Sequence, residues 1–325
     1  MKNILVSGTS GIVGYGILRS LKKSGLDLNL IGTTIYEDSV AQGFCDTFEK
    51  APPTNSDIYI DWLINTINKH KIQMLIPGIE ADLYKWTECK DKIEATGAKI
   101  LLNNLDLVSF SKDKWVFYQQ LIAHKLTMAI PTILETNFEK IKQLFGLPFL
   151  LKPRVGFGSK GIVKVFDEEI FKQHQSKIGE VLMVQPYVGN DNEEYSASAF
   201  CDGKGDFYAS MGIRRKLSSD GFTEKAEVVE MKELNEVIRA LCKCFKPIGP
   251  TNFQFRKHEG EYKLLEINPR VSSSTSIRTA FGYNESAMAV SYFLDGKIPE
   301  QPTIKKGRAV RYSEDFIFYD SSNNI

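Results

Sequence analysis

The sequence predicts an α/β domain with a parallel sheet at the N-terminus, followed by a larger α+β part. In the first hundred residues, short apolar segments alternate with amphipathic helical segments, which is typical of β-α-β units and parallel sheets. After about residue 110, strand-like segments follow one another with few helices between them, which indicates antiparallel pairing. The chain has 325 residues, more than one hydrophobic core usually serves, so two or three lobes are expected.

The N-terminal segments can be assigned in order. The predicted strands cover residues 4–6, 28–31, 74–78 and 98–102, and the predicted helices cover residues 14–24, 57–70 and a stretch that begins near residue 80. Strands separated by helices pair in parallel through right-handed crossovers. Ligands of such sheets bind outside the carboxyl ends of the strands, so the loops at that edge are candidate site positions.

From about residue 111 the pattern changes to one of mainly antiparallel strands. Helices are predicted at residues 112–124 and 232–245. The predicted strands cover residues 148–152, 162–166, 181–186, 194–200, 207–213, 226–229, 251–256 and 262–267. We therefore place a domain boundary near residue 110, and we expect the polar tail after Asp320 to be frayed.

The composition argues against several classes of protein. Hydrophobic residues make up 42% and charged residues 25%, as in ordinary globular proteins, and the net charge is +1. The basic residues are spread evenly, so no nucleic-acid partner is expected. No apolar stretch approaches the ~20 residues of a membrane helix, and no secretion signal begins the chain, so we expect a cytoplasmic protein without a membrane partner. The scattered cysteines and histidines suggest reduced thiols and no metal cluster.

A glycine-rich turn follows the first predicted strand, with Gly8, Gly11 and Gly14 leading into a helix. The spacing is GxxGxxG, whereas dinucleotide-binding turns read GxGxxG. The second strand ends at Ile31 and is followed by Gly32, so the acidic residue that would bind a ribose is absent. Close packing of strand and helix explains these glycines better than nicotinamide binding does. Contact with a small substrate stays open.

A second glycine-rich segment begins after an apolar strand that ends at Lys152. Its loop contains Gly156, Gly158, Ser159 and Gly161, and another strand follows. Such a loop can offer backbone N–H groups to phosphate oxygens, while the lysine supplies a positive charge. The P-loop pattern GxxxxGK[ST] is absent, and a mobile hairpin loop is the alternative interpretation.

The strongest motif combines two neighbouring strands near the C-terminal end of the second part. Glu266 and Asn268 are two residues apart on one strand, so both side chains point to one face. A three-residue hairpin loop at 259–261 would place Gln254 opposite Glu266. Three oxygen-bearing side chains then converge, as Mg²⁺ requires, and Arg270 follows at the strand end for an anionic oxygen. A surface hairpin with unrelated polar residues is the alternative.

The apolar residues of the same strand alternate with these polar ones. Leu265 and Ile267 are therefore predicted to face the hydrophobic core.

The segment from Gln254 to Ser274 resembles the ATP-grasp superfamily, and within it the synthetase repeat of the carbamoyl-phosphate synthase large chain. The resemblance extends over most of the chain. It implies a Rossmann-like pre-ATP-grasp domain at residues 1–110, a small ATP-grasp lobe with the phosphate loop at 111–188 and a large lobe with the metal site at 189–325. One repeat and no glutaminase segment are present, so the resemblance implies a stand-alone ligase.

The resemblance also implies a nucleotide site made of residues from both lobes. The carbonyl of Pro186 would accept from the adenine amine, the N–H of Val188 would donate to the ring, and Glu194 would accept from the ribose hydroxyls. The implied nucleotide-binding set is Lys114, Lys152, Gly156, Gly158, Ser159, Gly161, Gln185, Pro186, Tyr187, Val188 and Glu194.

The function that the resemblance implies is an ADP-forming ligase that couples a small carboxylate to an amine or another nucleophile. Its cofactors would be ATP and Mg²⁺, with Mn²⁺ as a substitute, and a homodimer stays open. The implied metal ligands are Gln254, Glu266 and Asn268, and the implied catalytic residues are Arg270, Lys152 and Arg215, with Arg214 and Lys225 as alternatives to the last. The substrate crevice would be lined by residues 8–14, Glu80, Arg270 and residues 272–274.

Two other functions stay open at this point. A nicotinamide-dependent oxidoreductase would use the turn at residues 8–14, and a non-catalytic ATP-binding protein would keep the nucleotide site without metal ligands. The complete set of Gln254, Glu266 and Asn268 argues against the second of these.

Overall fold

Three β-sheets organise the chain in the computed structural model, which describes residues 1–156, 160–190, 193–218 and 221–319. The first sheet has five parallel strands, the second has three antiparallel strands and the third has six antiparallel strands. The predicted change from parallel to antiparallel pairing is therefore present in the structure.

The N-terminal sheet has the strand order β3-β2-β1-β4-β5, and helices connect most of its strands. The strands are β1 (Lys2–Val6), β2 (Leu28–Thr34), β3 (Thr47–Lys50), β4 (Met74–Ile76) and β5 (Lys99–Ile100). The helices are α1 (Ile12–Lys22), α2 (Tyr59–His70), α3 (Glu80–Glu88), α4 (Lys90–Glu94) and α5 (Leu105–Ser111). The sequence reading missed β3, a short and mostly polar edge strand whose pattern is too weak to predict a strand.

Both faces of this sheet are covered, which explains why its central strands are almost continuously apolar. Leu5 and Ile31 face a core built with α2 and α3. Ile4 and Val6 face α1 on the other side, and the same cluster includes Val290 of α11 (Glu285–Asp295). The parallel sheet therefore shares one hydrophobic core with the C-terminal half of the chain.

The three-stranded sheet has the order β7-β6-β8. Its strands are β6 (Phe149–Pro153), β7 (Val163–Val165) and β8 (Leu182–Pro186), and the helices of this stretch are α6 (Lys114–Ala123), α7 (Phe138–Phe145) and α8 (Glu168–His174). Phe138, Phe149 and Phe171 pack against one another, with tilted or edge-on rings, in a separate core. In contrast, Phe117 and Leu121 of α6 pack with the core of the six-stranded sheet.

The six-stranded sheet has the order β13-β12-β9-β10-β11-β14. Its strands are β9 (Glu194–Asp202), β10 (Phe207–Leu217), β11 (Thr223–Val229), β12 (Ile248–His258), β13 (Glu261–Asn268) and β14 (Arg308–Val310). The helices are α9 (Lys232–Phe245), α10 (Thr275–Ala280) and α11. Helix α9 has the predicted bounds, because its apolar side chains recur at helical spacing and its polar residues face solvent.

Strand β9 shows how this sheet separates a core face from a polar face. Tyr195, Ala197 and Ala199 belong to the core that α9 covers. Ser196 and Ser198 alternate with them and are also buried, on the opposite face. That opposite face carries the polar side chains of the candidate site.

The hairpin of β12 and β13 differs from the prediction in two details. The turn has two residues outside the strands, 259 and 260, instead of three. A β-bulge interrupts the regular pairing: Phe255 pairs with Leu264, whereas the preceding Gln254 pairs with Glu266. The expected pairing at the site is therefore present, because the bulge adds the residue that the shorter turn removes.

The bulge also changes which leucine faces the core. The prediction that Leu265 faces the core is wrong, since it lines a cleft. Leu264 is buried in the core in its place. The predicted core position of Ile267 agrees with the structure.

Two further expectations have different outcomes. The division at residues 110 and 188 stays a prediction, and the tail after Asp320 lies outside the described residues. Within the described part of the chain, no helix is long and apolar enough to cross a membrane.

Candidate active site

A cleft of about 470 Å³ lies where the N-terminal sheet, the three-stranded sheet and the six-stranded sheet approach one another. One part of its wall is polar and comprises Glu80, Lys114, Gln185, Glu266, Asn268 and Arg270. Another part is apolar and comprises Phe117, Ile130, Met183 and Leu265. The cleft can therefore hold a ligand with one flat apolar portion and one charged portion.

The three predicted metal ligands lie side by side on the polar face of β12 and β13. Gln254 is directly opposite Glu266, and the Asn268 amide donates a hydrogen bond of 3.1 Å to Glu266 Oε1. Glu266 and Asn268 thus lie side by side, and each side chain carries an oxygen atom of the kind that a hard cation such as Mg²⁺ prefers. The oxygen of Gln254 already accepts a hydrogen bond of 2.7 Å from Arg215, so this side chain would have to share or exchange that contact.

The charges around Glu266 keep it ionised. Burial acts to raise the pKa of Glu266, but the positive charges of Lys152 and Lys114, together with the Asn268 hydrogen bond, lower it below its ordinary value overall. An ionised carboxylate is the form that binds a metal ion.

Lys152 is the last residue but one of strand β6 and is buried, with 8% of its surface exposed. Burial lowers the pKa of Lys152 to about 8, Lys114 acts in the same direction, and Glu266 opposes them. The structure therefore brings Lys152, Lys114 and Glu266 close enough for their charges to interact.

Lys114 connects helix α6 to the start of the predicted phosphate loop. Its ammonium donates a hydrogen bond of 2.6 Å to the carbonyl of Gly156. The N-cap residue of α6, Asp113, forms an ion pair of 2.6 Å with Arg154, and this fixes the helix against the end of β6. Gly156 has a φ of 127°, which only glycine adopts readily. Gly158 and Ser159 lie outside the described residues.

The segment that is predicted to contact the adenine, residues 185–188, is called the hinge here; it begins within β8 and continues past the end of that strand. Gln185 is buried and donates a hydrogen bond of 2.8 Å to Thr132, so its side chain supports the wall of the cleft. Pro186 is the last residue of β8, and Val188 is buried. The ring of Tyr187 lies beneath the ammonium of Lys164, 4.6 Å from the ring centroid.

Glu194 and Arg215 form a buried ion pair at the other end of the polar face. Their atoms are 2.8 Å apart, and the side chains are 6% and 4% exposed. Glu194 also lies 3.4 Å from Arg256, so the carboxylate that was assigned to the ribose has two arginine neighbours in this structure. The neighbouring Arg214 is on the outer face and pairs with Glu227 at 2.6 Å. Of the two arginines, only Arg215 touches the candidate metal ligands.

Sequence reasoning missed a buried polar cluster around Arg278. Arg278 is completely buried and donates hydrogen bonds to Ser196, Ser272 and Asn252, at 2.8, 2.7 and 2.8 Å, and it pairs with Glu285 at 3.2 Å. The alternation of serine with apolar residues in β9 was the available signal, because it marks a buried polar face.

The glycine turn at residues 8–14 is explained by close packing of the helix against the strand, the interpretation that the sequence favoured. A side chain on Gly14 would place its Cβ only 2.5 Å from the carbonyl oxygen of Gly8. Gly78, which follows β4, similarly lies against the backbone of Ser7. Helix α1 can therefore approach the strands closely only with glycine at these positions.

Comparison with known families gives an independent description of the C-terminal half. The family described as "ATP-grasp in the biosynthetic pathway with Ter operon" matches residues 179–316. These residues include strands β9 to β13, which form the polar face, and helices α10 and α11, which are linked to that face through Arg278 and Glu285.

Curated relatives match over longer segments at low identity. The carbamoyl phosphate synthase large chain of Thermotoga sp. (strain RQ2) is 24% identical over 98% of this chain and 32% of that protein. The large chain of Archaeoglobus fulgidus is 25% identical over 64% of this chain and 21% of that protein. This chain thus spans between a fifth and a third of the length of these relatives.

Solved structures match nearly the whole chain. N5-carboxyaminoimidazole synthetase from Staphylococcus aureus superimposes with a TM-score of 0.73 at 16% identity, covering 93% of this chain and 80% of that one. Biotin carboxylase from Campylobacter jejuni, solved as a β-γ-ATP complex, has a TM-score of 0.72 at 16% identity and covers 94% and 74%. The biotin carboxylase domain of the Hydrogenobacter thermophilus 2-oxoglutarate carboxylase, solved with MgADP, has a TM-score of 0.70 at 15% identity and covers 94% and 73%.

Proposed function

We propose that this chain is an ADP-forming carboxylate–amine ligase. The proposal is supported by its ATP-grasp fold and by its resemblance to one synthetase repeat of the carbamoyl phosphate synthase large chain. It would use ATP and Mg²⁺ to activate a small carboxylate as an acyl phosphate, which an amine or another nucleophile then attacks. The observation that carries the proposal is the oxygen-bearing face of Gln254, Glu266 and Asn268 beside Lys152 and Arg270.

Magnesium would be held by Glu266 and Asn268, and by Gln254 once Arg215 releases its oxygen. The bound ion would supply positive charge between the phosphate groups of the nucleotide. The lowered pKa of Glu266 supports this assignment, because the carboxylate is ionised before any metal arrives.

The other basic residues would act on the phosphates and on the substrate. Lys152 and Lys114 lie near Glu266 and would offset negative charge on the nucleotide. Arg270 lies at the end of β13, within 3.5 Å of Asn268, where a guanidinium can hold the carboxylate that attacks the γ-phosphate. This chemistry needs little proton transfer by the protein, in agreement with a cleft that no histidine lines in the described part of the chain.

The apolar part of the cleft would hold the adenine ring. Met183 and Leu265 line it from the three-stranded and six-stranded sheets, next to the hinge that begins at Gln185. Structures of similar fold that were solved with ADP or MgADP support nucleotide binding by this fold. Which residues contact the ring stays a proposal.

The test is a screen for acid-dependent ADP release. Purified protein is incubated with MgATP, hydroxylamine as trapping nucleophile and single acids: the twenty standard amino acids, acetate, glycolate and glucuronate. Hydroxamate and ADP formed in equal amounts would support an acyl phosphate intermediate. ADP release without any acid-dependent hydroxamate would contradict carboxylate activation, and NAD binding without ATP binding would favour the oxidoreductase alternative.

The variant Glu266→Ala tests the metal assignment in the same assay. We expect turnover to be lost while the thermal unfolding temperature changes little, because the side chain lines the cleft. The matched control is Glu139→Ala, since the Glu139 side chain is 72% exposed on a helix. Full activity of Glu266→Ala would refute the metal site.

A further inference from the structure

Helix α3 enters the cleft from the N-terminal domain directly after strand β4. Glu80 is its first residue, and Tyr84 is one turn later on the same face. Both side chains line the cleft together with Glu266 and Arg270. The N-terminal domain therefore contributes two polar groups to the site of phosphoryl transfer proposed above.

Glu80 contacts the guanidinium of Arg270 across the domain junction. Glu80 Oε1 and Arg270 Nη2 are 2.7 Å apart, and the side chains are 24% and 15% exposed. Arg270 Nη1 also donates to the carbonyl of Val271 at 3.1 Å. A guanidinium has five N–H donors, so these contacts orient the group and leave donors for a ligand.

Tyr84 presents a hydroxyl group to the same place. The ammonium of Lys112 lies 4.5 Å from the centroid of its ring, which holds the ring against the cleft wall. Among the described residues, no hydrogen bond to this hydroxyl is found. Burial, and then the charges of Glu80 and Glu266, raise the pKa of Tyr84 to about 12, so the phenol is a neutral donor at physiological pH.

We propose that α3 forms one wall of the acid-substrate subsite, in which Tyr84 donates a hydrogen bond to the substrate carboxylate and Glu80 is the positioning residue for Arg270. A neutral hydroxyl and a guanidinium that face one cavity suit the two oxygens of a carboxylate. An ammonium group would meet Arg270 and Lys112 there, so the amine substrate belongs elsewhere in the cleft. This inference rests on the proposed ligase function.

The step at this subsite is phosphoryl transfer to the bound acid. A carboxylate oxygen of the substrate forms a bond with the γ-phosphorus of ATP, and the bond from that phosphorus to the β,γ-bridging oxygen breaks. The acyl phosphate and ADP are formed, and no proton is transferred. Tyr84 and Arg270 would hold the attacking carboxylate, and Glu80 would keep Arg270 aimed at it.

The test compares Tyr84→Phe and Glu80→Gln with the wild type in the hydroxamate assay, using the acid with the highest wild-type rate. For Tyr84→Phe we expect the KM for the acid to rise about tenfold, with the KM for ATP unchanged, because one hydrogen bond to a charged group is lost. For Glu80→Gln we expect kcat to fall about tenfold at an unchanged KM for ATP, and Glu80→Asp should restore part of it. Tyr36→Phe and Glu94→Gln are the controls, because neither residue lines the cleft; Tyr36 is exposed and Glu94 is half-buried.

The outcomes separate this inference from the proposed function. An active wild type whose Tyr84→Phe variant has the same KM for the acid would overturn the subsite but leave the ligase function standing. An equal rise in both KM values would indicate a merely structural role for Tyr84 and would also overturn the subsite. A wild type that forms no hydroxamate with any acid would overturn both proposals.

Discussion

The charge of Lys152 leads to a pH dependence that can be measured. Its pKa of about 8 lies below the ordinary lysine value of 10.5, mainly because the side chain is buried. The lysine is positively charged below pH 8 and loses its proton above it, so attraction for ATP is present at low pH and declines as the pH rises. We expect the affinity for ATP to fall about tenfold per pH unit above pH 8.

The measurement is ATP binding by calorimetry between pH 7 and 9.5. The variant Lys152→Arg is the control, because a guanidinium stays protonated over this range. Its affinity should be nearly constant with pH, whatever its absolute value. An equally steep decline in this variant would assign the titration to another group.

Single residues differ in how far the sequence could predict them. Glu266 and Asn268 could be found because two adjacent positions on a strand share a face, a property of local geometry. Glu80 and Arg270 are 190 positions apart, and no local pattern pairs them. Tyr84 lies on a helix in which an aromatic residue is ordinary, so only the folded chain shows that it lines the cleft.

At the scale of elements, the β-bulge in β13 explains how two neighbouring residues serve one cleft. A regular strand would turn Leu265 away from Glu266, but the bulge lets both line the cleft. For Leu265→Ala we expect about tenfold weaker ATP binding and little loss of stability. The matched variant Leu264→Ala removes a core side chain and should lower the free energy of unfolding by about 2–5 kcal/mol with ATP affinity kept.

Calorimetry and urea denaturation of both leucine variants would check this assignment. Because the residues are neighbours of identical type, any difference must come from where each side chain points. Reversed results, with Leu264→Ala weakening ATP binding and Leu265→Ala destabilising the fold, would contradict the bulge.

Helices α10 and α11 are joined to the polar face by the buried pair of Arg278 and Glu285. The variant Glu285→Gln leaves the arginine charge without its partner, so we expect the free energy of unfolding to fall by about 3–5 kcal/mol. The control is Glu227→Gln, which breaks the exposed pair with Arg214 and should cost less than about 1 kcal/mol. Urea denaturation measures both, and equal effects would argue against a structural role for the buried pair.

Elements were predictable where their pattern is long and regular. Helix α9 has 14 residues and a clear apolar face, so the sequence identifies it. Helix α10 has only six residues, and no local pattern marks it before the fold is known. The bulge could not be read either, because one extra residue in a strand changes neither its length nor its composition noticeably.

At the scale of the whole molecule, the hydrophobic cores differ in which segments of the chain they join. The N-terminal sheet shares a cluster with Phe200 and Val271 of the C-terminal half. Among the described residues, the three-stranded sheet instead has a core of its own, formed by residues between Ile133 and Val184. Parallel and antiparallel parts could be predicted from the order of elements, whereas the shared core joins segments far apart in sequence and required the structure.

This arrangement leads to a prediction about nucleotide binding. The three-stranded sheet has a separate core, and its neighbouring strands β6 and β8 carry Lys152 and the start of the predicted hinge. Binding of MgADP should therefore draw this sheet toward the six-stranded one as a body. We expect slower hydrogen exchange in peptides from β6 and β8, and unchanged exchange in β1 and β2, whose surroundings are already packed.

Hydrogen exchange with mass spectrometry, with and without MgADP, measures this directly. Glu266→Ala is the control because it lacks the proposed metal ligand. Protection of β6 and β8 in the wild type that is lost in the variant would link lobe closure to the metal site. If β1 and β2 were protected as much as β6 and β8, the chain would respond as one unit. Slower exchange would then extend into the core that the N-terminal sheet shares with α11. In that case closure of the three-stranded sheet would be rejected, although nucleotide binding itself would stand.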